Sequence, residues 1–149
     1  MKWILLDSGP LGVYTNPKQG DRKDEIRALV KQWELQGHAV AVPEIVDFEL
    51  RRELLRGSKT DGIANLDDAG DRFLYLALTT PTMRLAAQLW AIARQMGRPT
   101  AAPFELDGDV ILGAQAQVVE QIGAEVVIAT FNTNHLSRYA KALQPRDIV

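Results

Sequence analysis

Short, uniformly apolar runs separated by longer amphipathic segments constrain the fold of this chain more than any other feature. The runs lie at residues 2–6, 39–43, 73–78 and 124–129. Because their side chains do not alternate between apolar and polar, most of them are typical of strands buried on both faces. Such strands occur in parallel sheets that helices cover on both sides. The chain is therefore predicted to have an α/β fold.

The segments between these strands have the apolar spacing and the boundary residues of helices. Helices are predicted at residues 21–36, 43–56, 67–72, 81–97 and 110–122. Asp7-Ser8-Gly9-Pro10 predicts a turn after the first strand, and residues 98–108, which contain two prolines, predict a loop. Residues 132–143 are expected to form a short helix or loop, and residues 147–149 an edge strand.

The composition narrows the class of protein further. With 149 residues, 46% of them hydrophobic and 24% charged, the chain suits one globular α/β domain over residues 1–149. The absence of cysteine excludes disulfides, thiolate metal sites and cysteine nucleophiles. Neither a signal peptide nor an apolar stretch of about 18 residues is present, so we expect a soluble, cytoplasmic protein with no membrane contact.

The charge balance argues at first against a nucleic-acid ligand. The chain has 19 acidic and 17 basic residues, which gives a formal net charge of −2. Proteins that bind nucleic acids usually carry a basic excess. Either nucleic acid is not the ligand, or the charges are sorted in space so that the total is misleading.

Polar side chains follow the predicted strands where ligand sites of open α/β sheets collect. Asp7 comes directly after the first strand, and Thr130 and Asn132 come after the strand at 124–129. Asp107 and Asp109 stand at the start of the helix that leads into that strand. Carboxylates without cysteine, in a chain with two histidines, suggest the hard oxygen ligands of Mg²⁺ or Mn²⁺.

Each of these residues also has a purely structural interpretation. Asp7 could be a turn former, and either Asp107 or Asp109 could be a helix cap. Glu49 shares a helical stripe with arginines, so an ion pair on a solvated face would explain it. His135, alone near the C-terminus, is interpreted as a surface residue rather than a base. Only the combination of these residues favours a site.

Four segments carry that combination, and they occur in a fixed order along the chain. They are DSGPL at 7–11, PEIVDFELRREL at 43–54, DGDVILGAQA at 107–116 and VIATFNTNHL at 127–136. This series resembles the PIN-domain nucleases and, among them, the VapC-type toxins of prokaryotic toxin–antitoxin pairs. The resemblance covers essentially the whole chain.

The resemblance implies a fold, an activity and a set of site residues. The fold is a PIN-like three-layer α/β/α sandwich with a mostly parallel central sheet, and the activity is Mg²⁺- or Mn²⁺-dependent hydrolysis of RNA. The implied metal ligands are Asp7, Glu49 and Asp109. Asn132 falls where many members have a fourth acid, so the chain departs from the fully acidic pattern. Supporting positions are Ser8, Thr130 and Asp107.

The resemblance also implies partners: an RNA substrate, a cognate antitoxin protein and a second copy of the chain in a homodimer. Arg51, Arg52 and Arg56 could contact RNA phosphates or an acidic antitoxin segment, or they could lie on a solvated face. Acids gathered at a metal site would also explain the negative charge. Each bound Mg²⁺ adds two positive charges locally, so the acidic balance does not argue against an RNA substrate. RNA should then bind poorly until the metal does.

Two other functions remain open from the sequence. The first is a PIN-like domain with weak or no catalysis that binds RNA or a protein partner, which the substitution of an acid by Asn132 supports. The second is phosphoryl transfer in the same pocket, as in response-regulator receiver domains. The second is disfavoured because no lysine follows a late strand and Asp7 stands alone instead of in an acidic pair.

Overall fold

Five parallel strands form the central sheet of the computed structural model, which describes residues 1–97 and 103–149. Their spatial order is β3-β2-β1-β4-β5, and every neighbouring pair is parallel. The strands are β1 (Lys2–Leu6), β2 (Ala39–Pro43), β3 (Leu74–Leu76), β4 (Glu125–Ala129) and β5 (Ala142–Leu143). The strand order reverses between β1 and β4, so these two central strands flank the crevice where ligands bind in such sheets.

Helices flank the sheet and complete the predicted three-layer α/β/α sandwich. They are α1 (Ser8–Thr15), α2 (Asp21–Leu35), α3 (Glu44–Arg56), α4 (Thr60–Arg72), α5 (Thr80–Gln95), α6 (Pro103–Gln121) and α7 (Thr133–Leu136). A 3₁₀ turn, Pro145–Asp147, follows β5. None of the helices in the described residues combines the length and the apolar character that crossing a membrane requires.

The apolar runs form the core, as their composition predicts. Ile4, Leu5 and Leu6 of β1 are completely buried, and Trp33 of α2 packs into the same cluster. A second, smaller cluster joins α5 and α6. Thr79 caps α5 by accepting a hydrogen bond from the Thr82 amide. The central strands are thus held rigidly, which fixes the side chains that follow them.

Several predicted boundaries differ from the observed ones near α1, α4 and β3. The predicted turn at 7–10 is wrong beyond Asp7, because Asp7 caps a helix that begins at once with Ser8. The predicted helix at 67–72 is the last part of α4, which starts at Thr60. The predicted strand at 73–78 shrinks to β3, an edge strand with exposed Leu74 and Tyr75.

Two predictions in the C-terminal half also need correction. The loop at 98–108 is wrong for its last six positions, because α6 begins at Pro103, a residue that suits the first turn of a helix; residues 98–102 lie outside the described part. The edge strand predicted at 147–149 is wrong as well. The strand at that edge of the sheet is β5, and a 3₁₀ turn begins after it at Pro145.

Candidate functional site

A cavity of about 310 Å³ opens at the carboxyl ends of β1 and β4. It collects most of the polar residues that the sequence singled out. Its lining consists of Asp7, Ser8, Gly9, Glu49, Asp109, Thr130, Phe131, Asn132 and His135. The sheet explains this convergence: Leu6 and Ala129 are register partners, so the residues that follow them, Asp7 and Thr130, leave the sheet side by side.

Asp7 is held in place by its neighbours on both strands. Its backbone N–H donates to the Ala129 carbonyl oxygen at 3.0 Å. Its Oδ1 accepts from the Ser8 amide at 2.8 Å, and its Oδ2 accepts from the Thr130 hydroxyl at 2.7 Å. Both carboxylate oxygens are thereby oriented before any ligand binds.

Thr130 is the buried centre of this arrangement. Its side chain is inaccessible to solvent. Its Oγ1 also accepts a hydrogen bond from the backbone N–H of Asn132 at 2.9 Å. A buried hydroxyl that donates once and accepts once has satisfied hydrogen-bonding groups. The Thr130 hydroxyl is thus in a position to hold the Asp7 carboxylate in one orientation.

Glu49 reaches the same cavity from α3. Burial first, and then the nearby Asp7 and Asp109 carboxylates, raise the pKa of Glu49 to about 6, while Arg52 opposes them. The carboxylate lies against α6 at Gly108, where a Cβ atom would sit 2.6 Å from Glu49 Oε2. The missing side chain at residue 108 therefore makes room for Glu49. The segment Asp107-Gly108-Asp109 is therefore not a turn: it lies inside α6, where Gly108 packs against Glu49.

Asp109 enters from α6, and His135 faces it from α7. Asp109 Oδ2 lies 3.8 Å from His135 Nδ1, and Asn132 Nδ2 lies 3.0 Å from the same ring nitrogen. With a neutral His135, Nδ1 accepts from the Asn132 amide and the ring proton is on Nε2. His135 therefore orients the Asn132 side chain, whose exposed amide borders the cavity.

His135 shows where sequence reasoning fell short, because it was interpreted as a surface residue and lies in the cavity. The available signal was its spacing: it follows Asn132 by three residues at the start of a short helix, which places the two side chains on one face. Gly9 and Phe131 also line the cavity and were not among the predicted site residues.

Asp107 is the one predicted site residue that the structure does not bring to the cavity. It is exposed and lines a groove between α5 and α6 with Met83 and Trp90. The interpretation of Asp107 or Asp109 as a helix cap is wrong too, because both lie inside α6 rather than before it. Two positions apart on a helix, the side chains point in different directions.

The arginines of α3 already have partners. Arg51 pairs with Asp47 at 3.0 Å and with Asp67 at 2.7 Å, and Arg56 pairs with Glu53 at 2.7 Å. Arg52 lies over the Phe48 ring, 5.3 Å from its centroid. These contacts favour the solvated-face interpretation for Arg51 and Arg56.

The donor set of the cavity suits a hard cation. Three carboxylates and an amide are the oxygen ligands that Mg²⁺ and Mn²⁺ prefer, and their mutual repulsion is one reason why the pKa of Glu49 is raised. In residues 1–97 and 103–149, no three His, Asp or Glu side chains are already arranged to hold a metal ion. A cation would therefore have to draw these carboxylates closer together. Receiver-type phosphoryl transfer would require a lysine, and the cavity lining contains none.

Comparison with solved structures shows which proteins share this fold. One match is to the crystal structure of VapBC2 from Rickettsia felis bound to a DNA fragment from their promoter, with a TM-score of 0.69 and 15% identity over 95% of this chain and 98% of that one. Another is to VapBC-1 from nontypeable Haemophilus influenzae, with a TM-score of 0.66 and 13% identity over 97% and 99% of the two chains. No family model and no curated protein matches the chain. At this identity the likeness establishes the fold alone, and it confirms the predicted architecture.

Proposed function

We propose that this chain is a metal-dependent endoribonuclease and the toxin of a toxin–antitoxin pair. One observation carries the proposal: Asp7, Glu49 and Asp109, which come from three separate elements, line one cavity at the crevice between β1 and β4. A fold has no reason of its own to bring three carboxylates together, since their repulsion costs stability. The shared fold with chains of two VapBC structures supports the same function.

Asp7, Glu49 and Asp109 would hold the metal, with the Asn132 amide as a neutral ligand or a water-orienting group. When bound, Mg²⁺ or Mn²⁺ supplies a Lewis acid that activates water and neutralises charge on the phosphate. Thr130 keeps Asp7 in one orientation through its 2.7 Å hydrogen bond. His135 fixes the Asn132 amide, so the exposed edge of the site is ordered as well.

The proposed partners are an antitoxin protein and a second copy of the chain. The shared fold supports the antitoxin, because both matched structures are of VapBC. The homodimer rests on the family resemblance, and the exposed Met83 and Trp90 on α5 agree with a protein contact. Light scattering on the purified chain, alone and co-expressed with the product of an adjacent gene, measures both assemblies.

The decisive experiment is cleavage of single-stranded RNA with Mg²⁺ or Mn²⁺ and with EDTA. Asp7→Asn keeps the size of the side chain and removes its charge, so cleavage should fall by about 100-fold or more, because even residues that only support metal ligands are worth about 10–100-fold. Asp107→Asn is the matched control: it is the same chemical change outside the cavity. Cleavage in EDTA, or equal activity of the Asp7→Asn protein and the wild type, would contradict the proposal.

A catalytically inactive RNA-binding or protein-binding domain is the second candidate, and Asn132 in place of a fourth acid favours it. The same assay separates the two candidates. RNA binding without cleavage at any metal concentration would support the binding domain. Cleavage that Asn132→Asp increases would show instead that the amide only reduces the rate.

A further inference from the structure

We propose that Arg22 and Arg146 form a phosphate-binding subsite beside the carboxylate cavity, which holds the backbone of a single-stranded nucleic-acid substrate. The inference rests on the proposed nuclease function and extends it to how the substrate is positioned. The two arginines line a second cavity of about 190 Å³. Phe131 lines both cavities, so the two are neighbours that share one wall.

Phe131 forms a partition between the two cavities and is closely packed. Its ring packs against Gly9, where a Cβ atom would lie 2.6 Å from Phe131 Cδ2. Its carbonyl oxygen accepts a hydrogen bond from the Gln144 side chain at 3.1 Å. Residue 131 is therefore held from the α1 side and from the segment after β5. A substrate that crosses it meets a defined surface.

Arg22 lies over this partition. Its guanidinium carbon is 4.5 Å from the centroid of the Phe131 ring, a cation–π distance. The residue is exposed and lies in the first turn of α2, where the helix dipole disfavours a cation. The helix dipole thus does not favour an arginine at this position, whereas an anion bound at the edge of the site would.

Arg146 faces the same cavity from the 3₁₀ turn after β5. Within the described residues, neither Arg146 nor Arg22 forms an ion pair. Glu25 is the acidic residue of the lining, and it lies outside ion-pair distance of both guanidinium groups. The two guanidinium groups are therefore available to an external anion.

The chemistry of the two cavities is complementary. Three carboxylates repel a phosphodiester until a cation neutralises them, whereas a guanidinium binds phosphate through two parallel hydrogen bonds. A strand bound on Arg22 and Arg146 would have one phosphate anchored while the next crosses Phe131 into the carboxylate cavity. The arginines would act as positioning residues for the phosphate that is cut.

The salt dependence of RNA binding tests this assignment. Fluorescence anisotropy with a labelled, mixed-sequence single-stranded RNA is measured over a KCl series in EDTA, using Asp7→Asn protein. Each phosphate contact contributes about −0.7 to the slope of log affinity against log salt. Arg22→Ala and Arg146→Ala should each reduce the slope by about 0.7, and the double variant by about 1.4. Arg22→Lys keeps the charge and should keep most of the slope.

The control is Arg94→Ala, which removes an arginine that also covers an aromatic ring, Trp90, but lines neither cavity. Its slope should equal that of the parent protein. An unchanged slope in the double variant, an equal loss in Arg94→Ala, or no RNA binding at all would overturn the subsite. Circular dichroism of each variant checks that it folds.

The outcomes also separate the subsite from the proposed function. If the wild type never cleaves RNA but the slopes change as expected, the nuclease proposal fails and the subsite stands. If the wild type cleaves RNA and the slopes do not change, the subsite alone fails. In the cleaving wild type, Arg22→Ala should raise KM and leave kcat within about twofold, because a contact made equally before and during the reaction contributes only to binding.

Discussion

At the scale of single residues, Glu49 determines how the metal-free site responds to pH. Burial and the carboxylates of Asp7 and Asp109 raise its folded-state pKa to about 6, above the ordinary value of 4.5. Charging Glu49 in the folded protein is therefore harder than in the unfolded chain. Its contribution to stability is present in full below pH 4.5 and is lost as the pH rises to about 6.

The prediction is that Glu49→Gln removes this part of the pH dependence. Urea unfolding in EDTA is measured at pH 4.5 and pH 6.5 for both proteins. Relative to the variant, the wild type should lose stability between the two values. Glu53→Gln, which changes an exposed glutamate paired with Arg56 on the same helix, serves as the control. If the unfolding free energies of the wild type and Glu49→Gln differ by the same amount at both pH values, Glu49 is not the source of the pH dependence.

At the scale of elements, Gly108 links α6 to the carboxylate from α3. In most helix interiors, glycine to alanine stabilises by about 0.5–1 kcal/mol. At residue 108 the new methyl group would lie 2.6 Å from Glu49 Oε2, the flexible end of a side chain, so Glu49 has to move away. We expect Gly108→Ala to fold at least as stably as the wild type, yet to bind Mn²⁺ more weakly.

Thermal unfolding and Mn²⁺ titration of the same samples check both halves of that prediction. Gly70→Ala is the matched control, because its Cβ atom would make an ordinary contact of 3.7 Å with Tyr75 on a helix away from the cavity. It should gain stability with unchanged Mn²⁺ binding. If Gly108→Ala binds Mn²⁺ as the wild type does, Glu49 is not a ligand.

The same elements show what the sequence can reveal and what it cannot. β1, β2 and β4 were predictable because a strand buried on both faces has to be uniformly apolar. The start of α6 was not predictable. A glycine between two acids suggests a turn as long as the packing of Glu49 against Gly108 is unknown. β5 has two residues and carries no periodicity of its own. Asp7, Glu49 and Asp109 were found through motif order. His135 offered only its spacing of three residues from Asn132, and the cavity that Arg22 and Arg146 share is formed by contacts between distant segments.

At the scale of the whole molecule, the net charge of −2 conceals an uneven distribution. Three acids line one cavity, and two arginines line the cavity next to it. The total charge alone suggests that this chain avoids nucleic acid. The distribution suggests instead that a nucleic-acid strand meets attraction and repulsion on adjacent surfaces, and that the repulsion is local to the metal ligands.

The last prediction follows from this distribution and concerns RNA binding without metal. In EDTA, Asp109→Asn should bind single-stranded RNA more tightly than the wild type, although it should not cleave when Mg²⁺ is added. Removing one charge at close range to a phosphate is worth about 1 kcal/mol in water, or about fivefold in affinity. Asp107→Asn makes the same change to the net charge from an exposed position outside the cavity, so its affinity should stay within about twofold of the wild type. Equal gains in both variants would mean that RNA responds to the total charge, and no gain in Asp109→Asn would mean that the strand does not approach these acids.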